Sequence, residues 1–257
     1  MLRSRTRCIA AASGRALLLM MSAVALVGCG EESVPTGLTP TGPTGRVRFV
    51  NAVADPLRAD RLNVTVAGTP VAVNIAFGVA APNPGVQPNP APYYPVYVGS
   101  WPVIARRTAD TTVTVLSQNI DVAASKDYTV MAVGTSAGVS GVVLTDDNTA
   151  PATGSVRLRL VHASPSSAPA VDLYVTGAAT DIATVAPSAS NVAFKGTSAY
   201  LTLAAGTYRV RVTAAGSKAP LVDATTGALA TGAVRSFILL DRSAGGVPAT
   251  SVLLVDR

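Results

Sequence analysis

The sequence predicts an all-β fold: two tandem antiparallel β-sandwich domains, immunoglobulin-like or prealbumin-like, behind a signal peptide and a flexible linker. Three observations predict it. First, apolar residues alternate with polar ones in short runs such as Val64-Thr65-Val66, Val113-Thr114-Val115 and Val210-Arg211-Val212. Period two is the signature of a strand with one dry face and one wet face. Second, 22 Gly and 18 Pro break the chain at short intervals, which suits turns and opposes long helices. Third, the sequence repeats itself. About seven short strands per ~100 residues without helical periodicity read as a sandwich, with a closed barrel as the alternative.

The chain begins with an address. Arg3, Arg5, Arg7 and Arg15 precede the apolar run Ala16–Val27, and Gly28 and Cys29 follow it. This is the layout of a secretory signal, residues 1–28. The run has 12 residues, short of the ~20 that a membrane-spanning helix needs. Residues 29–45 then read as a lipidated Cys and a Gly-, Pro- and Thr-rich tether. Residues 46–148 form the first expected domain and 155–257 the second. The junction between them is rich in Ala, Thr, Pro and Gly.

The repeat supports that division. Arg48-Phe49-Val50-Asn51-Ala52 matches Arg159-Leu160-Val161-His162-Ala163. Asn63–Gly68 matches Asp172–Gly177, and Ile75-Ala76-Phe77 matches Val192-Ala193-Phe194. Gly99–Val103 matches Gly206–Val210, Tyr128 onward is aligned with Phe237 onward, and Val142–Asp146 matches Val252–Asp256. The offset stays between 107 and 117 residues. It shifts mostly at a Pro-rich insertion, residues 82–92, in the first copy.

Charge excludes one class of partner. The full chain carries +6, but removing the four arginines before residue 28 leaves 16 basic residues against 14 acidic ones, a net of +2. A nearly neutral mature chain without a Lys/Arg cluster argues against nucleic acid. Cys8 lies in the expected signal and Cys29 at its end, so no disulfide framework is expected.

Two resemblances add to this reading. Leu26-Val27-Gly28-Cys29 resembles the bacterial lipobox. That implies diacylglycerol on the Cys29 sulfur, cleavage after Gly28, and attachment to the cell envelope. Gly30 follows the Cys where an Asp would favour the inner membrane, which points to the outer one. Leu160–Pro165, Ala170–Val175, Ala199–Val210 and Ser125–Gly134 together resemble the bacterial envelope family known as domain of unknown function 4397. The resemblance covers nearly all of residues 46–257 as two copies. It implies an extracytoplasmic sandwich-like module and supplies no catalytic residue. The first copy departs from the pattern, with Asn51 for His162 and Asn63 for Asp172.

Candidate sites are few. His162 is the chain's single His. With Ser164 and Asp172 it could be drawn as a hydrolytic triad, but no nucleophile elbow accompanies it. A polar strand-end residue holding a turn is the simpler reading. No metal and no cofactor are expected. Asp146-Asp147-Asn148 could offer oxygens to Ca²⁺, or simply cap a turn between domains. Tyr93, Tyr97 and Trp101 form the candidate ligand surface. Alternation places Tyr94 and Val96 inward and Tyr93 and Tyr97 outward, where rings could meet sugars or a protein. The expected function is a non-enzymatic envelope lipoprotein with structural or protein-interaction roles. Its membrane contact is the lipid on Cys29, and its partner is an envelope protein. Polysaccharide binding through the aromatic residues is the alternative, and a hydrolase using His162 is a third reading.

Overall fold

The structure is a computed structural model that describes residues 42–55, 61–82, 93–135 and 137–257. The expected signal, Cys29, most of the linker and most of the Pro-rich insertion lie outside these residues. The first half contains β1 (Thr44–Ala54), β2 (Leu62–Val66), β3 (Thr69–Ile75), β4 (Ala80–Ala81), β5 (Tyr94–Tyr97), β6 (Gly99–Arg107), β7 (Thr114–Val122), β8 (Asp127–Thr135) and β9 (Gly138–Asp146). The second half contains β10 (Ser155–His162), β11 (Ala170–Thr176), β12 (Ala189–Ala193), β13 (Leu201–Ala204), β14 (Gly206–Ala214), β15 (Pro220–Leu229), β16 (Val234–Leu240) and β17 (Thr250–Val255). One 3-10 turn, Ile182–Thr184, lies between β11 and β12.

Among the described residues these strands make four sheets. The first half has an outer sheet β3-β2-β6-β7 and an inner sheet β4-β1-β8-β9, with β5 also paired to β1. The second half repeats the plan with an outer sheet β12-β11-β14-β15 and an inner sheet β13-β10-β16-β17. The all-β sandwich expectation therefore holds, with one refinement. The sheets are not wholly antiparallel, because β1 runs parallel to β8 and β10 parallel to β16. Parallel neighbours need a long crossover, and here the outer-sheet strands β2, β3, β6 and β7 supply it.

The repeat alignment also needs a correction. Arg48 faces Thr129 in the β1–β8 register, and Arg159 faces Ser236 in the β10–β16 register. Val130, not Tyr128, is therefore the counterpart of Phe237.

The four sheets stack through three dry layers. Within the first half, Phe49, Val64, Val103, Ile120 and Val130 fill the space between the sheets. Within the second half, Leu158, Leu160, Leu173, Val210 and Phe237 do the same. The third layer joins the halves. Val50, Ala52, Met131, Val133, Val142 and Leu144 pack with Val161, Ala163, Ile238, Leu240 and Leu254 in one buried cluster. The two inner sheets thus lie face to face and are dry on both sides. That explains their sequences. Residues 128–133 and 158–163 are buried without a break, whereas the outer-sheet strand β2 alternates buried and half-buried. Strands covered on both faces read as near-continuous apolar runs, here interrupted by the hydrogen-bonded Thr129, Arg159 and His162.

One glycine is demanded by geometry. Gly134 lies in β8 opposite Val139 at φ +137°, and a Cβ there would lie 2.1 Å from the Gly138 carbonyl oxygen. Only glycine adopts that backbone without strain.

Candidate functional site

A group of buried charged and polar side chains lies at the seam between the halves. Period two places Arg48 on the same face of β1 as Val50 and Ala52, and Arg159 on the same face of β10 as Val161 and Ala163. Both guanidinium groups therefore enter the shared layer. The Arg48 Nε–H donates to the Thr129 hydroxyl (2.7 Å), and Arg159 Nε–H donates to the Ser236 hydroxyl (2.8 Å). Each arginine then reaches into the other half. Arg48 pairs with Asp256 at 2.5 Å, and Arg159 pairs with Asp146. All four side chains are 3% exposed or less.

Two tyrosines close the arrangement. The Tyr93 hydroxyl donates to Asp146 at 2.8 Å, and Tyr200 stands 3.5 Å from Asp256. Arg48 lies 4.8 Å over the Tyr93 ring, and Arg159 lies 4.8 Å over the Tyr200 ring. The cluster is a near-repeat of itself across the seam. Burial works to lower the Arg48 pKa, but the fields of Asp256 and Asp146 and the hydrogen bond to Asp256 oppose it, and the pKa is raised. The guanidinium stays charged. Burial drives both tyrosine pKa values far above the usual phenol range, so both rings remain neutral. The chemistry of this cluster is mutual satisfaction: fixed donors meet fixed acceptors away from water.

Sequence reasoning missed this cluster, although its signal was present. The repeat already matched Arg48 with Arg159 and Asp146 with Asp256. Charged residues at duplicated positions within apolar runs are rarely buried unless paired.

His162 has no exposed surface. Its Nε2 lies 2.8 Å from the Ala168 carbonyl, and the Ser164 N–H approaches Nδ1 at 3.4 Å. Ser164 bonds to Asp241 and Ser167 through its hydroxyl. Asp172 accepts from the Asn191 and Gly216 N–H groups, 2.9 and 2.8 Å away. His162, Ser164 and Asp172 are therefore not assembled as a triad. In the first half Asn51 plays a matching part, its Oδ1 accepting from the Val53 N–H at 3.1 Å. Asn63 similarly accepts from Asn74 N–H at 2.8 Å. Both halves use these positions to hold backbone.

Burial pushes the His162 pKa below its usual value, against a smaller raising effect from the Ala168 carbonyl and Asp241. Below pH ~6.5 the unfolded chain binds a proton that the folded chain refuses. We expect stability to fall as pH drops from about 6.5 toward the folded-state value. Urea midpoints compared between neutral and mildly acidic buffer should show a smaller acid loss in His162→Asn. An identical loss in both proteins would show that this ring does not drive the effect.

The three expected surface rings part company. Tyr93 is only 2% exposed, which corrects its expected outward orientation. The arginines on the seam face draw the ring inward. Tyr97 is 45% exposed. Trp101 is half-buried against the first core, with its indole N–H donating to the Tyr97 carbonyl at 2.6 Å. The rings do not make one flat platform.

Asp146 belongs to the seam, Asp147 bonds Arg157 and the Thr149 N–H, and the Asn148 amide donates to Asp127. Among the described residues no cluster of three or more His, Cys, Asp or Glu could hold a metal ion. A cleft of about 160 Å³ opens at the far end of the first half, lined by Val53, Asp55, Leu62, Arg107, Val113 and Val139 among others. Arg107 lies 3.9 Å from Asp55 within it. Cys29 lies outside the described residues.

A family model described as "Domain of unknown function (DUF4397)" matches residues 45–174 and 166–256. A comparison with curated proteins gave no match. Among solved structures, the family CBM26 module of Amy13K from Eubacterium rectale, in complex with maltoheptaose, is 7% identical over 81% of this chain and 96% of its own, with a TM-score of 0.25. A leucine-rich repeat protein from Bacteroides thetaiotaomicron is 14% identical over 76% of this chain, with a TM-score of 0.20. This chain spans 26% of that protein's length. Neither structural likeness is close enough to carry an argument.

Proposed function

This chain belongs to the DUF4397 family, and we propose that it is a non-enzymatic, lipid-anchored protein of the cell envelope, held at the outer membrane. Its two halves act as one block that positions loops and edges for contact with an envelope protein. One observation carries this reading. His162, Ser164, Asp172 and Asp241, the groups best suited to acid–base or nucleophilic work, are buried and bonded to backbone or to each other. The Arg–Asp quartet is likewise engaged in joining the halves. Side chains held this way support a scaffold rather than a reaction.

Polysaccharide recognition is the weaker reading, because the burial of Tyr93 removes one of its three rings. Anchoring is tested through Cys29. We expect the wild-type protein to sediment with outer membranes and to gain the mass of a diacylglycerol and an acyl chain. Cys29→Ser should stay unprocessed and carry no lipid. Lipid-free mature wild type in the soluble fraction would refute the anchored reading.

A further inference from the structure

We propose that the end of the first half nearest the tether rests on the headgroup layer of a lipid bilayer through Tyr97 and Val98. This inference builds on the reading of Cys29 as acylated.

Tyr97 and Val98 are 45% and 42% exposed, adjacent, and apolar in most of their surface. They stand where the folded chain begins. Tyr97 pairs with Thr44 across β5 and β1, the Val98 N–H donates to the Pro43 carbonyl at 3.1 Å, and the Tyr97 ring flanks Gly42. Covalent geometry then limits how far this patch can stray from an anchor. Gly42 lies 13 residues after Cys29. Covalent geometry lets that many residues span at most about 45 Å. The patch is therefore among the parts of the folded chain kept closest to the lipid.

Its chemistry fits that neighbour. A tyrosine with an apolar body and a hydroxyl tip is favoured at the boundary between hydrocarbon and water. Lys126 is exposed on the adjoining turn, where its carbonyl accepts from the Arg46 N–H, and can meet phosphate. Exposed Asp121, one strand pair away opposite Ser100, offsets that charge. The driving contact is thus the ring and the valine, not charge attraction.

Trp101 reports on this contact because it is the chain's only Trp and bonds the Tyr97 carbonyl. The test uses mature acylated protein in vesicles of phosphatidylethanolamine and phosphatidylglycerol carrying headgroup spin labels. We expect Trp101 emission to be quenched, and the Tyr97→Ser/Val98→Ser double variant to lose most of that quenching. Both side chains are exposed, so the variant's unfolding midpoint should match wild type. Acylated wild type without quenching overturns this inference and leaves the anchor standing. Equal quenching in both proteins also overturns it. Absence of the lipid on Cys29 overturns both readings. Protection of Tyr97 from nitration by cell-wall polysaccharide in place of vesicles assigns the patch to a glycan and overturns the lipid contact.

Discussion

Replacing Asp256 by Ala should remove about 3–5 kcal/mol of folding stability. The carboxylate is fully buried and 2.5 Å from Arg48. Its loss leaves two guanidinium groups facing the single remaining carboxylate of Asp146, with side chains that solvent scarcely reaches. It also strips the Ser236 hydroxyl of an acceptor at 2.7 Å. Much of the loss is the cost of an unpaired buried cation rather than the worth of the pair. Arg48→Met/Asp256→Leu, which removes both charges, should therefore be more stable than Asp256→Ala alone. A double-mutant cycle on urea midpoints isolates the term, and a coupling of about 0.5–3 kcal/mol is expected for groups in direct contact. A single-variant loss below about 1 kcal/mol would mean that water or a side-chain shift replaces the pair.

Ile238→Asp should have the second large effect, at least about 4 kcal/mol. Ile238 is 1% exposed and lies in the apolar layer between the inner sheets. Its sheet partners are Val161 and Val252, so unlike the native aspartates a carboxylate here has no hydrogen-bonding group directly opposite. We expect the inner sheets to part rather than bury it, exposing Met131, Val133 and Leu240. Binding of an apolar dye to the folded variant and loss of the single unfolding transition would report the opening. A cooperative transition close to wild type, without dye binding, would show that the shared layer does not hold the halves together.

Much of the fold was legible in the sequence because period two and turn residues are local signals. Val64-Thr65-Val66 and Val210-Arg211-Val212 lie in strands, and the repeat marked out two equivalent sets of sheets. What escaped was the meaning of departures from alternation. Residues 128–133 and 158–163 are buried without a break although Thr129, Arg159 and His162 stand among their apolar residues, the sign of cover on both faces. Alternation at Val64–Val66 and Val210–Val212 says nothing of these strands, so it did not disclose the third dry layer. The partner of a buried charge is a tertiary fact, so Arg48 and Asp256, 208 residues apart, could not be joined from local spacing. The same limit misplaced Tyr93. Its neighbours in sequence set the alternation, but the charges across β1 decided where the ring went. The repeat made Asn51 and His162 readable as equivalent backbone-holding positions, but only His162 ends its strand, whereas Asn51 lies within β1 and also donates to the Ile75 carbonyl.

The crossed pairing of Arg48 with Asp256 and Arg159 with Asp146 has a consequence for descent. A duplicated module usually frees one copy to drift. Here each copy carries the counter-ion of the other, so a charge lost from one is felt as a defect in its sibling. The dependence is reciprocal, so a substitution at either aspartate strands a cation that belongs to the opposite copy.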